Sequence, residues 1–526
     1  MKTYLGLFVA LLAVSFSQAQ TPVWTQVPNS PGSSGTRHDD IYFTDTTNGW
    51  ATHNNNIYRT TNGGRTWTTN LTLAGTHFRS IGFLNPMVGF AGNLGVGSYD
   101  ANVSNTNVMY GTTDGGVTWQ NVPGFAEIGM KGLCTFHVFN SNTIYGAGRV
   151  RGPAFVIKSS DGGSTWSKQN LTASNVMNGI MDIYFKDENT GWVVGMDTNQ
   201  YASPPYYGRI ARTTNGGASW QVQVTTSIQN CYFWKISFPS PEIGYVALQQ
   251  NGSYSNIVFY KTTDGGNTWV SNGIPEHTLG LATNGLHFYL QGMCFVSTNE
   301  GWMGGANSLG DYAKGFIRTT NGGANWFTAG YSNTYLMNRI RFQSPTFGYA
   351  SGANLHLYSV PLALTSQPPS QVVIGPSTVN LTVGAVGQPP LTYQWKKDGT
   401  NAPNGTSATL ALTNVLRSDA GTYSVFISNG FTNVQSTNAY LRVVVPERLS
   451  QPELVTANKI KLSFTDADGG AMLTTNDLAT FSVVASTNLV DWFSITNTLS
   501  VTNGTIIFED TLTNAPQKFY RVLEQF

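Results

Sequence analysis

TTDGGVTW, residues 112–119, decides the fold, because the chain keeps returning to it. The octet recurs as TTNGGRTW ending at Trp67, SSDGGSTW at Trp166, TTNGGASW at Trp220, TTDGGNTW at Trp269 and TTNGGANW at Trp326. Counted from Asn62, Asp114, Asp161, Asn215, Asp264 and Asn321, successive copies lie 47 to 57 residues apart. That period is too long for one turn of a small solenoid and matches a four-stranded propeller blade. Asn or Asp at the third position can accept a bond from its own backbone two residues on. The paired glycines tolerate the positive φ of a tight turn, and Thr or Ser returns the chain to strand. Burying one Trp ring removes roughly 200 Å² from water, about 4 to 5 kcal/mol gross, so stability alone accounts for the motif. Three of the six turns carry Asn, neither a general acid nor a strong cation ligand, so no metal and no catalytic carboxylate is expected there.

Upstream of each octet stands an apolar-x-Phe triplet followed by Gly and an aromatic. The copies are IYFTDTTNGW from Ile41, IGFLNPMVGF from Ile81, IYFKDENTGW from Ile183, ISFPSPEIGY from Ile236, MCFVSTNEGW from Met293 and IRFQSPTFGY from Ile340, with a degenerate HVFNSNTIYG from His137. Period-2 alternation between turn residues reads as two antiparallel strands, and the octet supplies the next hairpin. The seventh copy has no octet behind it: LHLYSV, from Leu355 to Val360, runs into Pro361. VWTQV, from Val23 to Val27, resembles the segment that leaves the octet turn elsewhere, so it is expected to supply the missing strand, with Trp24 in the vacant Trp position. Such closure removes exposed sheet edges. The expectation is an all-β chain whose residues 21–360 form a seven-bladed β-propeller.

Residues 1–19 carry Lys2, an apolar run from Tyr4 to Phe16 and the small-x-small Ser17-Gln18-Ala19, the pattern of a secretory signal peptide. The expected protein is secreted, extracellular or periplasmic, with no membrane span in the mature chain. Only 10% of residues are charged and the formal net charge is +1, which excludes an electrostatic nucleic-acid footprint. Cys134, Cys231 and Cys294 cannot all pair and show no metal-ligand spacing, so they read as buried free thiols.

Beyond the Pro-rich junction Thr365–Gln371 come VNLTVGAVGQPPLTYQWKKDG and LTNVLRSDAGTYSVFISNG. This stretch, residues 364–446, resembles an immunoglobulin-like domain. Trp395 takes the core position of strand C and Tyr423 the tyrosine corner, while Val383 and Val425 stand where the usual disulfide would be. Residues 447–526, with FSVVASTNLVDWFSI, IIFED and FYRVL, read as a small β-sandwich similar to C-terminal modules of secreted proteins from Verrucomicrobia-like bacteria. Asp466 and Asp468 in DADGG lack the other ligands of a calcium loop and read as a plain turn.

The repeating unit I-x-F…GW…TTDGGxTW is the Asp-box, or BNR, pattern, and residues 21–360 resemble the photosystem II assembly and stability factor family, itself a seven-bladed propeller. The resemblance implies the fold; the appended modules depart from the photosynthetic members, and no photosystem role is carried over. Asp boxes also occur in sialidases and xyloglucan hydrolases. The sialidase pattern requires an Arg-Ile-Pro segment, absent here, and the xyloglucan enzymes resemble two facing propellers where this chain has one.

Octet turns and first-to-second-strand turns share one face of such a ring. Residues preceding the inner strands ring the channel mouth on the opposite face: Arg37, His38, Asp40, His77, Arg79, Asp182, Trp234, Lys235 and Arg339. These are the candidate ligand-binding residues, with Tyr201, Tyr206, Tyr207 and Tyr312 in long loops as further stacking rings. Asp40 and Asp182 form a conceivable acid and base pair only if the channel brings them together. The reading is a non-enzymatic binding or scaffold protein for a polysaccharide or protein, without cofactor; the alternative is a glycoside hydrolase.

Overall fold

The computed structural model describes residues 21–31, 38–198, 205–251, 256–279, 290–305, 316–329, 337–467, 473–495, 499–512 and 517–524. The expected signal peptide, Arg37, Tyr201, Tyr312 and Asp468 lie outside them. The chain is all-β and divides into two compact units, Thr21–Val360 and a second that contains Pro361–Phe526.

The described residues of Thr21–Val360 hold seven four-stranded antiparallel sheets, strands in chain order. Their first strands are Asp40–Phe43, Phe78–Phe83, Thr135–Val138, Gly179–Phe185, Cys231–Ser237, Gly292–Phe295 and Arg339–Ser344. Each first strand packs against the first strand of the next sheet, and the seventh against the first. Only the seventh sheet departs from chain order. There Val23–Gln26 pairs antiparallel with Leu355–Ser359, Trp24 opposite Tyr358. Trp24 is buried and meets Phe342 edge-on at 5.8 Å, as Trp67 meets Phe43 at 5.9 Å.

The triplet and the Gly-aromatic pair explain the packing. Strand register sets the middle triplet residue opposite the aromatic, as Tyr42 opposite Trp50. The aromatic then stacks on the triplet Phe of the following sheet: Trp50 on Phe83 at 3.5 Å, Tyr145 on Phe185 at 3.6 Å, Tyr245 on Phe295 at 3.5 Å. Tyr349 of the seventh sheet stacks on Phe43 of the first at 3.5 Å. Glycine before the aromatic is required where a triplet Phe faces it, since a Cβ on Gly49 would lie 2.4 Å from the Phe43 ring; the third sheet, without that Phe, has Ile144 there. The third sheet carries the frame Phe136-His137-Val138, His137 pairing Tyr145, one residue earlier than the degenerate HVF word suggests. With no triplet Phe there, Trp166 packs on Phe90 of the second sheet, at 5.1 Å.

The octets are turns, with one difference from expectation. Asp114 Oδ1 accepts from the Thr118 amide at 2.9 Å, four residues on rather than two, and Oδ2 from the Thr118 hydroxyl at 2.6 Å. Thr112 Oγ1 donates to Oδ1, while Gly115 and Gly116 take φ of 71° and 84°. Asn62 makes the same set, its amide nitrogen donating to Thr66 Oγ1. Most octet Trp rings are half-buried, whereas Trp50, Trp192 and Trp302 of the Gly-Trp pairs are 0–1% exposed, so the larger burial falls on the second motif.

In the second unit, Trp395 and Tyr423 lie in one core with Val383 and Val425, all at most 2% exposed. Tyr423 donates its hydroxyl to Asp419 O at 2.8 Å, the tyrosine-corner bond. Farther along, Lys459–Asp466 alternates buried and half-buried positions and packs Ile460, Leu462 and Phe464 against Phe481 and Val483 from another sheet. Arg417 joins these parts, donating to Asp466 at 2.7 Å and to Glu524 at 2.8 Å, so Asp466 is an ion-pair partner.

Candidate functional site

Because side chains alternate along a strand, the middle triplet residue and the residue two before it point the same way. The first strands of the seven sheets therefore bring two layers together. One contains Tyr42, Gly82, His137, Tyr184, Ser237, Cys294 and Arg341; the other contains Asp40, Ser80, Thr135, Asp182, Lys235, Gly292 and Arg339. Bulges in the strand pairing between Phe78 and Ser80, Ile180 and Asp182, and Phe233 and Lys235 adjust the second layer.

That second layer is a buried charge network. Arg339 donates from Nε to Asp40 at 3.1 Å and from Nη1 to Asp182 at 3.1 Å, so one guanidinium spans two carboxylates from separate sheets. Thr135 Oγ1 donates to Asp182 at 2.7 Å, and Arg341 Nη2 reaches both oxygens of Asp40 at 3.1 and 3.3 Å. Burial works against charge on Asp40 and Asp182, but Arg339 holds both carboxyls below the ordinary range, helped by Arg341 at Asp40 and Lys235 at Asp182. Lys235 goes the other way: burial first, then the Arg339 charge, drive its amine well below an ordinary lysine.

The remaining expected site residues sit beyond this layer. His77 lies between two acids, Nε2 2.6 Å from Asp39 and Nδ1 2.7 Å from Asp100. Both ring nitrogens donate only in the imidazolium. Burial opposes that charge, yet Asp39 and Asp100 raise the His77 pKa above its usual value. Arg79 is paired with Asp39 and lies over the Trp234 ring at 5.5 Å; Lys235 lies over the same ring at 5.7 Å. His38 is buried, its Nδ1 3.2 Å from Gly352 O and its ring 5.0 Å from His53; burial lowers its pKa to about 4. Every described residue of the expected set is thus buried, none more than 6% exposed. Tyr206 is likewise buried, its hydroxyl accepting from Asn251 at 2.8 Å, and Tyr207 opens a strand. Among the described residues no group of three or more His, Cys, Asp and Glu is placed to hold a metal ion. Nor is any helix long and apolar enough to cross a membrane.

On the other side of the network lies a cavity of about 830 Å³. Asp182 and Arg339 line it, Tyr42, His137, Tyr184 and Arg341 form its wall, and exposed Thr46 and Gln343 stand at its rim on the first-to-second-strand turns. The cavity therefore opens toward the face that sequence reasoning assigned to the octets. Sequence reasoning missed the wall residues, although a signal existed: the middle triplet residue is the one that varies freely within an otherwise constant word. Cys294 is half-buried in that wall, and burial raises its thiol to about 11. Cys134 and Cys231 are buried and free, the latter raised to about 12.

The Immunoglobulin domain family matches residues 363–429, the stretch that contains Trp395 and Tyr423. That segment is an immunoglobulin-like domain. Similar solved structures include a chimeric titin carrying an exogenous decorin peptide, at 26% identity and TM-score 0.14 over 16% of this chain and 93% of that one. A titin domain at atomic resolution is similar at 22% identity and TM-score 0.15, over 16% of this chain and 95% of its own. A pair of titin domains in complex with telethonin is similar at 17% identity and TM-score 0.16, over 31% and 94%. No curated protein matches the chain.

Proposed function

We propose that this is a secreted bacterial binding or scaffold protein. Residues 21–360 form a seven-bladed propeller of Asp-box type that engages a saccharide or protein partner, and two β-sandwich modules, 364–446 and 447–526, carry it. The cyclic packing of seven first strands and the stack of Tyr349 on Phe43 support the propeller reading. The observation that carries the non-enzymatic reading is Arg339. A glycoside hydrolase needs one carboxyl with a raised pKa to protonate the leaving group and a second free to act as base or nucleophile. Asp40 and Asp182 both accept from the same guanidinium, and both are held ionised. Neither carries a proton to give, and neither is free to move. Their part is structural, closing the channel beneath a cavity whose wall is aromatic and hydroxylated.

A glycan array run beside a hydrolysis screen on polysaccharides tests this. Binding without release of reducing ends is expected. Turnover that disappears in Asp182→Asn or Asp40→Asn while the variant remains folded would sink the reading and restore the hydrolase.

A further inference from the structure

The central cavity has two properties that narrow its ligand. It is blind, because the Arg339 guanidinium reaches across from the seventh sheet to Asp40 of the first, Thr135 of the third and Asp182 of the fourth. And its ionic groups are already spent. Asp182 is occupied by Arg339 and Thr135, and Arg341 by Asp40. Asp45 at the rim accepts from the Thr47 amide and hydroxyl and from the Asn48 amide and side chain. An ionic ligand would have to break a buried pair to find a counter-charge, which is strongly unfavourable.

What remains open to a guest is neutral. Among the described residues the hydroxyls of Tyr42 and Tyr184 have no hydrogen-bond partner, although both rings are held firmly. Tyr184 stacks on Phe238 at 4.9 Å, and Tyr42 lies under the Arg341 guanidinium at 5.1 Å. Ser237 lines the cavity beside them, its hydroxyl already accepting from the Phe295 amide at 3.1 Å, and half-buried Phe238 and Phe342 add apolar surface. Rigid aromatic faces with two neutral hydroxyls, in a volume within the roughly 300–1,000 Å³ of small-ligand sites, suit a polyhydroxylated ring rather than an ion.

We infer that the cavity binds the free end of a neutral saccharide chain, entered end-on from the first-to-second-strand turns and stopped by the Arg339 layer. The inference rests on the saccharide limb of the proposed function and goes beyond it, since a blind hole admits a terminus and excludes the middle of a chain.

The test uses the full chain, calorimetric titration and two probe sets: linear neutral oligosaccharides of glucose, xylose and mannose, and cyclic glucans, which have no end. Linear chains are expected to bind with an affinity that stops improving after the first few units, and cyclic glucans to bind at least about tenfold more weakly. Ser237→Trp, which fills the cavity from a half-buried position, should abolish binding. Tyr42→Phe combined with Tyr184→Phe, a change that preserves both rings, should weaken it by about tenfold, the loss of one to two neutral hydrogen bonds. Should Ser237→Trp fail to fold by circular dichroism, the double Phe variant carries the test. Cyclic glucans competing as well as linear ones, binding restricted to acidic sugars, or affinity unchanged within about twofold in the double Phe variant would overturn end-on capture while leaving saccharide binding intact. No binding to any saccharide would overturn both.

Discussion

The acids of the octet turns and the acids of the buried floor beneath the cavity are both held below the ordinary carboxylate range, for opposite reasons. Asp114, Asp161 and Asp264 stand in solvent and fall to about 2 through hydroxyls and amides of their own turns, none more than four residues away. Asp40 and Asp182 are buried, where burial opposes their charge, and are kept ionised by a guanidinium 299 and 157 residues distant. The first arrangement is local and replaceable: Asn stands in for Asp at 62 and 215 with the same bonds, and at 321 it keeps those from Thr319 and from the Asn325 amide. The second is tertiary and depends on charge. Depressed acidity therefore marks a well-made turn at one place and a buried charge network at the other.

The floor should respond most strongly to mutation. Arg339→Leu leaves two buried carboxylates without their shared partner and should cost about 3–5 kcal/mol, read as a large fall in urea midpoint or as failure to fold. Adding Asp40→Asn and Asp182→Asn should recover part of that loss, since the uncompensated charges go with them. If Arg339→Leu unfolds at the wild-type midpoint, the network is no keystone.

Acid should separate the two sites next. A carboxyl depressed on folding contributes stability that is complete above the unfolded value and is lost as pH falls through the folded one. For the octet acids this window runs from the ordinary 3.8 down to about 2. Thermal unfolding between pH 5 and 2 should steepen in this interval, and the triple variant Asp114→Asn, Asp161→Asn, Asp264→Asn should flatten it only in part, the floor acids supplying the rest. His77 runs with the opposite sign. Its pKa is raised on folding, so its contribution is complete below the ordinary 6.5 and is lost as pH rises through the folded value. Melting temperature should decline on the alkaline side, and His77→Gln should remove that decline.

Single octet changes come last. Asn215→Ala, which removes the bonds to Thr213 and Ser219, should cost about 1 kcal/mol by chemical denaturation. Asp114→Asn should leave the melting temperature at pH 7 nearly unchanged. A large loss there would mean that the octet carboxylate does more than hold its own turn.

The octet made the sheets countable from sequence because its chemistry is local: a side chain bonds within four residues, and two glycines take positive φ. Trp24 could be assigned for a similar reason, since a strand lacking its partner and a partner lacking its strand each leave a visible gap in a regular pattern. The immunoglobulin-like core was legible from Trp395 and Tyr423, two large residues whose positions in that fold are fixed. The candidate site was legible only in part. Sequence reasoning gathered Asp40, Asp182, Lys235 and Arg339 because they precede the inner strands, but it gave them to a solvent-facing mouth. Nothing in a linear chain says that one arginine can reach three other sheets, and that reach turns a ring of polar residues into a buried floor. The cavity on the other side went unseen for a complementary reason. Its wall is built from the variable letter of a repeated word, and the eye tracks the letters that repeat.

The pairing of Val23–Gln26 with Leu355–Ser359 has a kinetic side. Thr25 and Leu357, hydrogen-bonded in the finished sheet, are separated by 332 positions along the chain. Every other strand in residues 21–360 meets its hairpin partner within the same repeat, so most of the unit can form from contacts of short sequence separation. The strand synthesised first must wait, unpaired, until the last one arrives. Until then the unit carries two open edges, and a second chain at the same stage offers each of them an equally good partner. Refolding yield should therefore fall with protein concentration, and a short linker joining the two strands in a permuted chain should restore it.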